Sequence, residues 1–233
     1  NTDILIFLPR LESQLVFLLA HSLKGDPSIN CIFLVSADSE NLKSTFKNQA
    51  FDFSVECVIP SEIPDNTKLM ISRSVTSRNF ILMHTPGLLC AEFLRVCQQR
   101  HANNIDAVFC DHDELVDKQR SKPRFKPGYS KELLWDPAYI PTASISCSIF
   151  DAVVNATDFD DDLDPSKKGY ELIVKSFQAS TRVVHEPKVL FHLQLPVCVW
   201  RDFIDVYDAT KTKPFINLTH AGSSFPEHYV VPE

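Results

Sequence analysis

Short apolar runs alternate with amphipathic segments along the first half of the chain. Five runs have the length and composition of buried strands, and they begin near Asp3, Cys31, Phe53, Phe80 and Ala107. Between them, apolar residues recur at helical spacing in segments 12–23, 41–48, 69–75 and 89–99. This alternation predicts an α/β fold, in which helices flank a mixed, mostly parallel sheet and ligands bind at the carboxyl ends of the strands.

The second half of the chain departs from this rhythm. Helical patterns cover 150–155, 170–180 and 200–210, whereas 183–184 and 189–191 are predicted as two strands of a hairpin. Ahead of them, basic residues alternate with other residues, at Lys118, Arg120, Lys122, Arg124 and Lys126. In an extended segment they would share one face, which either meets a pyrophosphate-linked substrate or is the solvated side of a hairpin.

Composition excludes several classes of function. With only 5 glycines in 233 residues, the chain has neither a Walker A loop nor a dinucleotide-binding fingerprint. The net charge of −7 argues against a nucleic-acid partner, because phosphate binding needs a basic surface. No apolar stretch approaches the roughly 18 residues of a membrane span. The seven cysteines mostly lie in apolar runs, which predicts buried, reduced thiols in a cytosolic protein, and none has a recognisable nucleophile setting.

An acidic motif, Asp111-His-Asp-Glu114, directly follows the fifth predicted strand. Two carboxylates at this spacing can hold Mg²⁺ or Mn²⁺ while substrate phosphates complete the coordination shell. His192, at the end of the predicted hairpin, is a candidate third ligand. The alternative is a solvated strand end at Asp111 and Asp113 and a hydrogen-bonded structural histidine at position 192.

Two segments of the chain carry ordered motifs. The first, 106–140, contains Phe125-Lys-Pro127, Ser130, Leu133-Leu134 and Tyr139-Ile140 in this order, and the second, 181–192, reads Thr-Arg-Val-Val-His-Glu-Pro-Lys-Val-Leu-Phe-His. Both segments resemble the bacterial surface-polysaccharide type of family 2 glycosyltransferases, in which the second reads "VHIPrVLYHWR". The resemblance covers about residues 3–195. It implies a GT-A fold with a nucleotide-binding half (1–114) and an acceptor-side half (115–212), together with a nucleotide-sugar donor and a glycan acceptor.

The same comparison with the family shows departures at the functional motifs. Met83 and Thr85 stand where the family's metal carboxylates follow the fourth strand, and Gly169 stands where its catalytic base begins a late helix. The donor-binding motif after the second strand keeps one nearby carboxylate, Asp38. Pro9, which ends the first apolar run, is the other candidate donor-binding residue.

Two interpretations of function follow from these matches and departures. The chain is a catalytically degenerate glycosyltransferase-like domain that binds a glycan or acts as a scaffold, or it is an active transferase that uses Asp111 and Asp113 for Mn²⁺ or Mg²⁺. The basic residues 120, 122, 124 and 126 are the candidate contacts for acceptor or phosphate. A nucleotide-sugar hydrolase or epimerase lacks any supporting motif.

The end of the chain adds context for the whole protein. Residues 213–233 resemble the connector that precedes a further catalytic domain in tandem polysaccharide glycosyltransferases, and the chain begins at Asn1 rather than Met. We therefore expect an excised domain with a neighbouring transferase domain in the same chain. The expected location is the cytoplasm, with peripheral association at the inner membrane as an option.

Overall fold

The computed structural model describes residues 2–7, 23, 26–36, 53–58, 79–85, 87–116, 119–157 and 164–193. Its strands are β1 (Thr2–Phe7), β2 (Ile29–Val35), β3 (Ser54–Val58), β4 (Asn79–Met83), β5 (Gly87–Leu89), β6 (Ala107–Val116), β7 (Gln119–Arg124), β8 (Thr142–Ser146) and β9 (Val183–Leu193). Its helices are α1 (Ala91–Ala102), α2 (Cys147–Asn155) and α3 (Pro165–Ala179), and a 3₁₀ turn covers Lys131–Trp135.

The described strands form one mixed sheet. Their order is β3-β2-β1-β4-β8-β6-β9-β5, and β7 pairs with β6. The strands β1 to β4 are mutually parallel, and because β8 is antiparallel to both β4 and β6, the strands β6 and β9 share their direction. The predicted fold class, α/β with a mostly parallel sheet flanked by helices, is confirmed. The five predicted strands correspond to β1, β2, β3, β4 and β6.

Apolar side chains cover both faces of the sheet. In β1, Leu5 and Phe7 join a core with residues of α2 and α3, while Ile4 and Ile6 join a second core with residues of α1. Burial on both faces explains why the central strands are nearly continuous apolar runs in the sequence. No helix of the described residues is long and apolar enough to cross a membrane.

Two details of the predicted strands are wrong. The acidic motif lies inside β6 rather than at its end, because β6 continues to Val116 and turns back into β7. The segment 183–192 is a single strand and not a hairpin, since β9 pairs with β6 in parallel along its length. Cys110 is opposite Glu186 and Asp111 is opposite Val189, so residues 187 and 188 form a bulge in β9. This bulge contains Pro187, and proline is tolerated at such positions.

The helices begin and end within a few residues of their predicted positions. For α3 the structure shows why it begins where it does: Asp164 caps the helix by accepting from the backbone N–H groups of Ser166 and Lys167, and Pro165 occupies the first turn.

The helices predicted at 41–48, 69–75 and 200–210, and all of 12–23 except residue 23, lie outside the described residues. The same holds for Pro9, Asp38, Lys118 and the connector 213–233. The division into halves at 114/115 stays a prediction, although β8 and β9 complete the sheet that β1 to β6 begin.

Candidate functional site

The two carboxylates of the acidic motif lie on β6 between β7 and β9. Asp111 and Asp113 are each only 2% exposed. Asp111 Oδ1 accepts a hydrogen bond from the backbone N–H of Lys126 at 2.8 Å and lies 2.8 Å from Nε2 of His185. The imidazole of His185 stacks on the ring of Phe109, with 4.8 Å between centroids. The pairing of β6 with β9 therefore fixes Asp111 between a histidine and a backbone amide.

Asp113 lies between two cationic or potentially cationic groups. Its Oδ2 accepts from Nε of Arg120 at 2.6 Å, and its Oδ1 lies 2.5 Å from Nδ1 of His192. The other ring nitrogen of His192 is 3.2 Å from Sγ of Cys90. The pKa of His192 is raised, chiefly by its hydrogen bond with Cys90 and further by Asp113, while partial burial opposes the shift. Cys90, His192, Asp113 and Arg120 thus form a continuous row of polar contacts.

The basic segment follows β6 closely but does not present one uniform face. Lys122 adopts a left-handed backbone conformation (φ 47°), and the pairing of β7 with β6 shifts register between His112 and Glu114. Arg120 bonds to Asp113, and the exposed Lys122 forms an ion pair with Glu114 at 2.9 Å. The predicted shared face of the basic residues is therefore interrupted at Lys122. A residue with positive φ does not continue the regular alternation of side chains along a strand.

Lys126 has a different role from the exposed basic residues. Its Nζ donates to the carbonyl oxygen of Cys110 and lies 5.8 Å from the centroid of the Phe109 ring. Burial lowers the pKa of Lys126 to about 8, against the opposing effect of nearby acidic groups that include Asp111. Its ammonium group therefore lies next to the acidic motif.

At the end of β4, where the resemblance places a metal motif, the structure has no carboxylate. Met83 is fully buried, and the imidazole of His84 is buried between two partners. Its Nε2 donates to the carbonyl oxygen of Pro137 at 3.0 Å, and its Nδ1 is 3.1 Å from Oγ1 of Thr85. Burial lowers the pKa of His84 to about 4, so this ring is neutral near pH 7.

A second buried imidazole belongs to the acidic motif itself. His112 is fully buried, and neither of its ring nitrogens has a hydrogen-bond partner. Burial lowers its pKa well below the ordinary range, and the charges of Lys126 and Arg124 act in the same direction. Burial, reinforced by these charges, keeps this ring neutral.

Gly169 lies in α3 against the first strand. A Cβ atom at this position would be 2.6 Å from two ring atoms of Phe7 and 2.9 Å from its Cβ. Atoms this close would overlap, so the packing leaves no room for a side chain. The aromatic ring closes the position at which the resemblance places a catalytic base.

The partners of these residues do not favour a divalent metal ion. Among the residues that the structure describes, no group of three or more His, Cys, Asp and Glu side chains is placed to hold one. Asp113 and His192 do meet, but Asp111 contacts His185 instead, and Arg120 and Lys126 supply positive charge beside the carboxylates. A metal at Asp111, Asp113 and His192 remains a prediction that this arrangement does not favour.

Sequence reasoning did not single out three side chains that the structure places in this region: Cys90, His84 and His112. The two histidines lie within the two motifs that carry, or would carry, metal carboxylates, so their position in the sequence was a signal. No sequence signal pointed to Cys90, because it contacts His192 only through the pairing of β5 with β9, and the two residues are 102 positions apart.

The mixed, mostly parallel sheet and the helices that flank it form a GT-A-like fold. Of the solved structures that resemble the chain, one is residues 1–349 of TarS from S. aureus, a GT-A-type glycosyltransferase. The match has a TM-score of 0.57 and 12% identity over 88% of this chain and 63% of the TarS structure. The chain therefore spans less than two thirds of that structure, and the likeness shows the fold.

A second solved structure is 4-diphosphocytidyl-2C-methyl-D-erythritol synthase from Anaerococcus prevotii. It matches with a TM-score of 0.44 and 14% identity, over 90% of this chain and 97% of that one. No protein-family model and no curated protein sequence matches the chain.

Proposed function

We propose that this chain is a glycosyltransferase-like domain of a polysaccharide-biosynthesis protein, and that it binds a glycan or acts as a scaffold without appreciable sugar transfer. The observation that carries the proposal is the contact between Phe7 and Gly169. A transferase that attacks with an acceptor hydroxyl needs a base to take its proton, and such a base typically contributes about 10²- to 10⁴-fold to the rate. At position 169 that group cannot be accommodated.

The surroundings of the acidic motif support the same proposal. A divalent ion would neutralise the leaving nucleoside diphosphate in a metal-dependent transferase. Here Asp111 and Asp113 are already matched by His185, His192 and Arg120 at 2.5–2.8 Å. A metal would have to displace these partners, and the nearby positive charges would repel it.

A phosphate-bearing ligand finds cationic groups beside β6 instead. Arg120, Lys122 and Arg124 are exposed on β7, and Lys126 lies next to them. Arginine and lysine side chains bind phosphate oxygens without a metal. Any nucleoside diphosphate that binds to this domain should therefore bind equally well with and without a divalent cation.

Calorimetric titration of UDP, GDP and dTDP, with and without Mn²⁺, tests this expectation. We expect Mn²⁺ to leave the affinity of any bound nucleotide unchanged, and Arg124→Gln to weaken it. Lys131→Gln is the matched control, because Lys131 is also an exposed cation but lies on the 3₁₀ turn. Affinity that requires Mn²⁺ would contradict the proposal.

Sugar transfer from a panel of nucleotide donors to lipid-linked or oligosaccharide acceptors tests the degenerate character directly. We expect no turnover from the domain. Asp111→Asn and Asp113→Asn should change stability or partner binding only. Clear turnover that these two substitutions abolish would establish the active, metal-dependent alternative.

A further inference from the structure

A nucleophile, a base and an orienting acid meet where β5, β6 and β9 join. Sγ of Cys90 lies 3.2 Å from Nε2 of His192, and Nδ1 of the same ring lies 2.5 Å from Oδ1 of Asp113. Each ring nitrogen therefore has one partner, and the carboxylate holds the imidazole in an orientation that presents Nε2 to the thiol. This is the order of contacts by which a histidine activates a cysteine.

Main-chain pairing holds all three side chains in place. His192 is opposite Asp113 on β6 and opposite Leu88 on β5, and the backbone N–H of Cys90 donates to the carbonyl oxygen of Leu190 at 2.9 Å. The second oxygen of Asp113 is held by Arg120 at 2.6 Å. The row of contacts is therefore built by the sheet and is not a chance approach of flexible side chains.

The thiol also has access to solvent and a favourable local field. Cys90 is the N-cap residue of α1, a helix of 12 residues, and its side chain makes no capping hydrogen bond. It is partly exposed, whereas Cys97 and Cys110 are fully buried. The positive end of a helix dipole stabilises a thiolate, which is the reactive form of cysteine.

We propose that Cys90 is a nucleophilic thiol, activated by His192 and Asp113, and that it is a site of covalent modification by small, soft electrophiles. In this reaction the Cys90 thiol gives its proton to Nε2 of His192, a bond forms between Sγ and the electrophilic carbon, and the leaving group departs with its bonding electrons. With iodoacetamide as the probe, the sulfur–carbon bond forms, the carbon–iodine bond breaks and iodide leaves. The proton then passes from His192 to solvent.

The chain contains a matched control for this thiol. Cys147 is also partly exposed and also lies at the start of a helix, as the first residue of α2. Burial raises the pKa of Cys147, and the neighbouring carboxylate of Asp151 raises it further. The two cysteines therefore share partial exposure and a place at a helix N-terminus, but Cys90 has a histidine beside its sulfur whereas the pKa of Cys147 is raised by burial and by Asp151.

Alkylation by iodoacetamide at pH 7, followed site by site with peptide mass spectrometry, tests the proposal. All measurements use protein with the Cys198→Ser substitution, which removes the one thiol that lies outside the described residues. We expect Cys90 to react at least about tenfold faster than Cys147, as thiolates paired with a histidine do. His192→Gln and Asp113→Asn should slow Cys90 toward the rate of Cys147 and leave Cys147 unchanged.

A second measurement separates activation from access. At pH 10, where thiols with an ordinary pKa of about 8.5 ionise without a base, wild type and His192→Gln should react at Cys90 at similar rates. A difference that persists at pH 10 would assign His192 a purely steric role and overturn the proposal. Equal alkylation rates of Cys90 and Cys147 in the wild type would overturn the proposal as well. Rapid alkylation of the buried Cys97 would reveal that a variant has unfolded. In that case the comparison of Cys90 with Cys147 in the wild type is the test of the proposal.

Discussion

Gly169 is dictated by the ring of Phe7, because an added Cβ would lie 2.6 Å from its atoms. We expect Gly169→Ala to lower the free energy of unfolding by about 1–3 kcal/mol through overpacking. The gain in helix propensity, about 1 kcal/mol for Gly to Ala, offsets part of this loss. Urea unfolding followed by circular dichroism measures the difference.

Gly128→Ala is the control for this substitution, since nothing lies within 4 Å of a Cβ added there. Its effect should stay within about 0.5 kcal/mol. In a Phe7→Leu background the cost of Gly169→Ala should shrink, because the smaller side chain leaves room. Equal stability of Gly169→Ala and the wild type would show that α3 moves away from β1 without cost.

The buried imidazole of His84 makes stability depend on pH. Its pKa is about 4 in the folded protein, against an ordinary value of about 6.5. Below pH 6.5 the unfolded chain binds a proton that the folded chain does not, so stability falls as the pH falls toward 4. For this group alone the loss between pH 7 and pH 5 is about 2 kcal/mol.

Urea unfolding at pH 7 and pH 5 measures this dependence, and His84→Gln should reduce the loss by about that amount. Part of the dependence should remain in the variant, because burial also lowers the pKa of His101 and His112. An unchanged loss in His84→Gln would mean that protonation at position 84 is not coupled to unfolding.

At the level of single residues, two of the candidates selected from the sequence lie side by side in the structure. Sequence reasoning selected Asp113 and His192, and the structure places them in contact at 2.5 Å. It also recognised that position 169 lacks a base, but not that Phe7 closes the space. Contacts between residues far apart in the sequence depend on strand order, which hydrophobic periodicity does not encode.

At the scale of elements, the end of α1 is built by a left-handed residue. Asn104 has φ 59°, its N–H donates to the carbonyl of His101, and the N–H of Ile105 donates to that of Arg100. This is a Schellman cap, in which a non-glycine residue carries a backbone cost. We expect Asn104→Gly to keep or slightly raise stability and Asn104→Val to lower it by about 1–2 kcal/mol.

Thermal unfolding of the two variants checks this prediction. Asn103→Val is the control at the adjacent position, where φ is −95°. A side chain with negative φ tolerates branching better, so Asn103→Val should cost less than Asn104→Val. The reverse order would argue against a left-handed residue at position 104.

The elements that could be predicted from sequence are those with both faces buried. The apolar runs of β1, β2 and β4 are central parallel strands, where the pattern is strongest. Strand β8 has the sequence Thr142-Ala-Ser-Ile-Ser146, which is too polar and too short to predict a strand. The hydroxyl groups of β8 find hydrogen-bond partners within the sheet. For example, Oγ of Ser144 accepts from the side-chain amide of Asn79 at 2.9 Å.

At the scale of the whole molecule, one sheet contains strands from both sides of the predicted division at residue 114. Strand β8 lies between β4 and β6, and α2 and α3 supply the core on one face of β1 and β4. We expect a 1–114 fragment to lack a cooperative unfolding transition, because β4 and β6 would lose the strand that joins them. Circular dichroism against denaturant, beside the 233-residue chain, measures this. A cooperative transition in the fragment would establish the first half as an independent unit.

The contact between Cys90 and His192 also has a consequence for the order of events during synthesis. The two residues are 102 positions apart, so at roughly 5–20 residues per second the ribosome makes the cysteine several seconds before its partner. Until β9 has been translated and has paired with β5 and β6, the thiol has no imidazole beside it. Rapid alkylation of Cys90 would therefore mark chains whose sheet is complete, and a pulse of reagent during translation would time the arrival of the last described strand.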